Sequence, residues 1–220
     1  MPRRRFLAVV VGLAILGPLS VAFTQENLTP TRDPVSGARL FASKGCGACH
    51  AVNGAGGSGG PDLGKVPRPI VLYDFAARMW NHVPQMSRQI TTLGISHPYL
   101  NADEMSDLIA FLGTVDASGR PGVVSSDSLS IGEPGDRQRG ERVVADKGCL
   151  ACHALPGGDV TGKVGGSFDR WTGFDSPWIT VSTIWNHAFL MDIETRMQNR
   201  AWPRLTAAEM ADLAAFLTHH

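Results

Sequence analysis

Only four of the 220 residues are cysteine and two are tyrosine, and aromatic side chains together make up 7%. Four cysteines are too few to staple a chain of this length into a disulfide scaffold. Charge is scarce as well, at 18%, and 20 basic side chains cancel 20 acidic ones. The basic surplus that marks a nucleic-acid binder is therefore missing, and no nucleic-acid partner is expected. A 43% hydrophobic content excludes a disordered chain, while 25 glycines and 14 prolines make it loop-rich without any collagen-like period. The length suits two domains of about 100 residues each.

The charge is unevenly spread. Arg3, Arg4 and Arg5 have no acid near them, residues 24–120 hold 8 basic and 8 acidic groups, and residues 121–220 hold 9 and 12. The part after the leader is thus mildly acidic, which favours solubility and says little about a partner. Behind the arginines lies one long uncharged stretch of 18 residues, Phe6 to Phe23. It reads either as a secretory signal or as a slightly short membrane anchor. Ser20 and Ala22 offer the small residues that signal cleavage requires, but the run exceeds the usual signal core of about 7 to 15 residues. Either way residues 1–23, a signal peptide or membrane anchor helix, put the remainder on the periplasmic side of the inner membrane, anchored or soluble after cleavage.

All four cysteines fall in two copies of one pattern. Cys46, Cys49 and His50 form C-G-A-C-H, and Cys149, Cys152 and His153 form C-L-A-C-H. Two thiols three residues apart on a tight turn can reach both vinyl groups at a porphyrin edge, and the next histidine then comes under the ring, where it can bind iron. A lone C-x-x-C could be a redox dithiol or half a zinc site. Two copies, each followed by histidine in an exported chain, point to two covalently bound haem c groups.

The surroundings repeat too. Residues 37–50 (GARLFASKGCGACH) align with 140–153 (GERVVADKGCLACH), Trp80-Asn81-His82 with Trp185-Asn186-His187, and 101–112 (NADEMSDLIAFL) with 206–217 (TAAEMADLAAFL). The chain is a tandem repeat. The expected division is 24–116 for the first haem domain, 117–135 for a Gly-, Pro- and Ser-bearing linker, and 136–220 for the second haem domain.

Each unit reads as mostly helical. A first helix over 36–45 places Gly37 and Phe41 on one face, with Gly140 and Val144 repeating the spacing. Gly-rich loops over 53–64 and 156–166 let backbone pass close to a flat cofactor. Residues 71–83 align Leu72, Ala76, Met79 and Val83 along one side, with 179–191 as their counterpart. A closing helix begins after Asn101, whose side chain can cap it with Glu104 as the box partner; Thr206 and Glu209 repeat this. The Gly37 and Gly140 faces are its natural targets, since glycine permits a close helix crossing.

Iron needs a second axial ligand. Met86, 36 residues after His50, and Met191, 38 after His153, recur at the same aligned place. A thioether is soft, neutral and easily buried, so Met86 and Met191 are the expected metal ligands opposite His50 and His153. His82 and His187 are the alternative. Pro84 is expected to interrupt the helix and present Met86 at a turn. Trp80 and Trp185 either donate an indole N–H to a haem propionate or fill the core. Met79, Met105 and Met210 read as core residues, Met197 has no aligned methionine, and His97, His219 and His220 read as surface groups.

These motifs, with G-x-x-x-F before the first, G-G-P-D-L-G at residues 59–64, W-N-H-x-x-x-M at 80–86 and E-M-x-D-L-x-A-F-L at 104–112 and 209–217, resemble the class I cytochrome c family in a tandem dihaem form. The resemblance covers residues 36–113 and 139–218. It implies an all-α fold of two tandem class I cytochrome c domains, here preceded by an N-terminal apolar helix, and an electron-carrier role. It further implies that the carbonyl of Pro61 accepts a hydrogen bond from His50; the second unit departs here, with Gly165-Gly166-Ser167-Phe168. With both axial positions filled, iron has no vacant site for a substrate, so the expected activity is single-electron transfer between redox proteins of a membrane chain, with no catalytic site of its own. Two alternatives stand beside it: a subunit fixed in a respiratory or photosynthetic membrane complex, and a dihaem oxidoreductase with one labile axial ligand.

Overall fold

The computed structural model describes residues 32–125, 128–170, 174 and 176–218. The expected N-terminal helix, His219 and His220 lie outside them. Among the described residues six α-helices dominate, three in each domain. In the first domain α1 (Pro34–Ser43) starts where Asp33 accepts the Val35 N–H and Pro34 takes a position that needs no donor. Its closing partner α3 (Ala102–Thr114) carries the full capping box of Asn101 and Glu104. The second domain repeats the pair as α4 (Arg137–Asp146) and α6 (Ala207–Thr218), with Thr206 and Glu209 exchanging the same bonds.

The first and last helices of each domain cross at a glycine. A methyl group at Gly37 would collide with the Asp107 carbonyl and Phe111, and one at Gly140 with the Asp212 carbonyl and Phe216. Each crossing is also tied electrostatically. The Asp33 and Asp136 N–H groups donate to the buried carboxylates of Asp107 and Asp212, both at 2.8 Å. Lys44 pairs with Glu104 and Lys147 with Glu209, again both at 2.8 Å. Met105 and Met210 are fully buried in the closing helices, which makes them core residues.

One aromatic position has moved between the copies. In the first domain Phe41 packs on Phe111, centroids 5.9 Å apart. The second has Val144 there, and Phe168, from the loop after the haem turn, reaches in to pack on Phe216 at 5.6 Å. Apolar volume is thus kept near the closing helix by a different chain segment.

The remaining helices, α2 (Leu72–Leu93) and α5 (Pro177–Met197), are longer than the sequence pattern implied. Pro84 does not interrupt α2, correcting the expected turn at Met86. A helical proline deprives the carbonyl four residues back of its donor, here that of Trp80. That carbonyl instead accepts the indole N–H of Trp202, from the other domain, at 3.0 Å.

The contact belongs to a pseudo-twofold seam. Helices α2 and α5 pack on one another, α2 also meets α6, and α5 meets α3. The Trp80 indole N–H donates to the Pro203 carbonyl at 2.6 Å, and that of Trp185 to the Pro98 carbonyl at 2.9 Å. The Asn81 amide donates to the Leu205 carbonyl and accepts from its N–H, at 2.7 and 2.9 Å. Asn186 does the same to Leu100, at the same two distances. Where Trp202 stacks on Trp80, His97 stacks on Phe189 with centroids 3.6 Å apart. His97 is therefore an interface residue and not a surface one.

The segment between the domains is docked. Leu129–Ser130 pairs in parallel with Ile70–Val71 of the first domain, and the Leu129 side chain is buried. Among the described residues no helix is long and apolar enough to cross a membrane.

Candidate haem-binding sites

In both domains the C-x-x-C-H motif leaves the first helix through a 3-10 turn, Cys46–Ala48 and Cys149–Ala151. The turn brings both thiols to one edge of a crevice and swings the following histidine into it. All four thiols are free and partly buried. Burial pushes the Cys46 thiol above its usual range and that of Cys149 up to about 11. These first thiols therefore face an apolar space and stay protonated at neutral pH.

The proximal imidazoles are held edge and face. His50, 9% exposed, donates from Nδ1 to the Pro61 carbonyl at 2.9 Å. That bond turns the unprotonated Nε2 into the crevice, the orientation a metal ligand needs. His153, 5% exposed, lies against Gly165. Burial holds it below the usual histidine range, and the backbone polar groups of Gly165 and Gly166 oppose the shift. The flanking glycine is a steric requirement: a methyl at Gly60 would lie 2.5 Å from His50 Cε1, and one at Gly165 would meet the same atom of His153. In the second domain alone, Phe168 stacks on the proximal ring at 4.8 Å and 21°.

Across the crevice stand α2 and α5. His82 faces His50 with centroids 6.2 Å apart and planes at 62°, and His187 faces His153 at 6.1 Å and 61°. Burial, and then the facing histidine, lowers the affinity of both His82 and His187 for a proton. Met86 and Met191 sit one helical turn further on; Met86 packs against the core, and Met191 lines the second crevice beside His187.

That second crevice is a cavity of about 620 Å³. Cys149, Cys152 and His153 line it together with His187 and Met191, against apolar walls that include Val143, Phe168 and Leu213. Thiols at one edge, imidazole on a face and a greasy interior fit a flat covalently held macrocycle. Trp80 of the first domain lines the same cavity, as do Trp202 and Pro203. The indole donors of Trp80 and Trp185 are spent on Pro203 and Pro98, so neither is left for a propionate. This corrects their expected role as donors; their polar ends hold the seam. Met197 is 74% exposed on the outside of α5 and Met79 packs against the core, so neither reaches a crevice.

An apolar crevice that ends in two thiols and an imidazole on one turn is the mark of a c-type haem domain, and the first domain repeats that turn with Cys46, Cys49 and His50. A comparison with protein-family models matches the family described as Cytochrome c over residues 35–116 and 138–220. The chain belongs to the cytochrome c family, and covalently bound haem c with electron transfer follows from that membership. No curated protein and no solved structure matches it.

Sequence reasoning missed the seam residues Asn81, Asn186, Pro98, Pro203, His97 and Trp202. A trace was visible, because the W-N pair and a P-x-L stretch before each closing helix (98–100 and 203–205) occur in both copies. Nothing in one dimension shows that each W-N pair binds the P-x-L of the other copy.

Proposed function

We propose that this protein is a dihaem electron carrier, with one haem c joined to Cys46 and Cys49 and a second to Cys149 and Cys152, passing single electrons between redox proteins on the periplasmic side of a membrane. The observation that carries the reading is that each crevice has donor side chains on both faces. His50 stands opposite the turn of α2 bearing His82 and Met86, and His153 opposite the turn of α5 bearing His187 and Met191. Haem iron supplies the couple between Fe(II) and Fe(III). The protein's part would be to hold the iron from both faces of the ring, exclude water with apolar walls that include Val143, Phe168 and Leu213, and keep a substrate from reaching the metal.

The seam joins the two centres into one body. Helix α2 presents His82 to the first crevice and Trp80 to the second, so no flexible tether separates the two sites. The outer-face location and the membrane partners rest on the arginines and the uncharged run at residues 3–23. A fixed subunit of a membrane complex would use the same chemistry from a retained anchor.

The test is haem content and ligand access in the purified full chain. Two covalent haems per chain, reducible and reoxidisable one electron each and closed to carbon monoxide, are expected. Fewer than two haems, or ready carbon monoxide uptake at both irons, would overturn the reading.

A further inference from the structure

Resting on the dihaem reading, the distal ligand can be named. We infer that His82 and His187, and not Met86 and Met191, are the distal axial ligands, so that each iron sits between two imidazoles. A metal–imidazole bond is about 2 Å and a ring nitrogen lies about 1 Å from its ring centre, so an ion held between two imidazoles sets their centroids about 6 Å apart. The observed separations are 6.2 Å and 6.1 Å, with plane angles of 62° and 61°. The two distal helices, which share little beyond W-N-H and the following methionine, reproduce one geometry.

The helix makes the choice exclusive. His82 and Met86, like His187 and Met191, are four residues apart on one face and so a little over one turn, about 6 Å, apart along the axis. Only one of each pair can stand on the line through the proximal ring, and the histidine stands there in both domains. Pro84 does not break α2, so nothing brings Met86 forward by a turn. Met86 and Met191 become apolar wall. Because thioether ligation raises haem potentials, both midpoints should lie below those of His/Met-ligated carriers.

The experiment reads ferric spectra of the full-length holoprotein alongside its covalent haem count. Wild type is expected to lack the far-red sulfur-to-iron charge-transfer band at both haems, and Met86→Leu and Met191→Leu should leave the spectra unchanged. His82→Ala should convert one haem of the two, either opening it to carbon monoxide or letting Met86 in, with gain of a one-haem sulfur band. A wild-type sulfur band at two-haem intensity that Met86→Leu halves would overturn the assignment. If His82→Ala fails to mature, the wild-type and Met86→Leu spectra still decide. A count below two covalent haems defeats the electron-carrier reading instead, and is measured separately.

Discussion

The indole N–H of Trp202 donates to the main-chain carbonyl of Trp80 across the domain seam, at 3.0 Å. Pro84 has no N–H to give that carbonyl, so a residue 122 positions further along the chain supplies the missing donor. A sequence that would ordinarily kink a helix instead creates a docking point.

This pairing predicts non-additive mutants. Trp202→Phe should cost about 1–3 kcal/mol by leaving the Trp80 carbonyl buried and unsatisfied. In a Pro84→Ala background the restored N–H of residue 84 serves that carbonyl, and the cost of Trp202→Phe should shrink. A double-mutant cycle on denaturant unfolding measures the coupling; strictly additive effects would show that the proline and the indole are unrelated.

The amides of Asn81 and Asn186 should be separately essential to the seam. Each makes two bonds to the backbone of the other domain, and each bond contributes about 1 kcal/mol net. Asn81→Ala and Asn186→Ala are each expected to destabilise by about 2 kcal/mol, and the double variant should split one cooperative melting transition into two. A single sharp transition in the double variant would mean the domains are held by apolar packing alone.

Gly60→Ala and Gly165→Ala should act on one haem each. The added methyl meets the proximal imidazole and pushes it off its position. One of the two irons is then expected to bind carbon monoxide when reduced, while the other keeps its wild-type spectrum.

Stability should fall as pH drops from about 6.5 to 4. Burial between Phe189 and Trp185 holds His97 at about 4 in the folded chain, against an ordinary 6.5. Between those values the unfolded chain takes up a proton that the folded chain refuses, so unfolding becomes easier, and the effect levels off below 4. Melting temperatures across this range should lose part of their slope in His97→Phe; an unchanged slope would assign the acid sensitivity elsewhere.

The two midpoints should differ. His50 donates to the Pro61 carbonyl, whereas His153 has no proline at the matching place, lies against Gly165 and carries Phe168 stacked on its face. Such neighbours tune a metal through its ligand. A redox titration with two resolved waves is expected, and one indistinguishable wave would count against the asymmetry.

Much of each half was legible in one dimension. The C-x-x-C-H turns and the capping boxes are local patterns, in which spacing alone brings groups together, while the long-range Gly37 and Gly140 crossings were legible from the repeated glycine on one helix face. Pro84 misled because its usual effect was overridden by Trp202, which no local rule connects to it. The choice between His82 and Met86 also escaped, since both lie on one helical face and both suit iron. Trp80 and Trp185 looked like cofactor donors because the carbonyls that occupy them belong to the opposite repeat.

The sequence by itself determined that there are two haem domains, where each thiol pair and proximal imidazole lies, and which helices close each crevice, because these depend on neighbours within a few turns or on one repeated face. Only the tertiary structure decided that His82 faces His50 and His187 faces His153, and how the two repeats lock through Trp80, Asn81, Trp185 and Asn186. Those outcomes depend on helix rotation and on hydrogen bonds between groups about 90 to 120 residues apart, where sequence spacing no longer constrains distance.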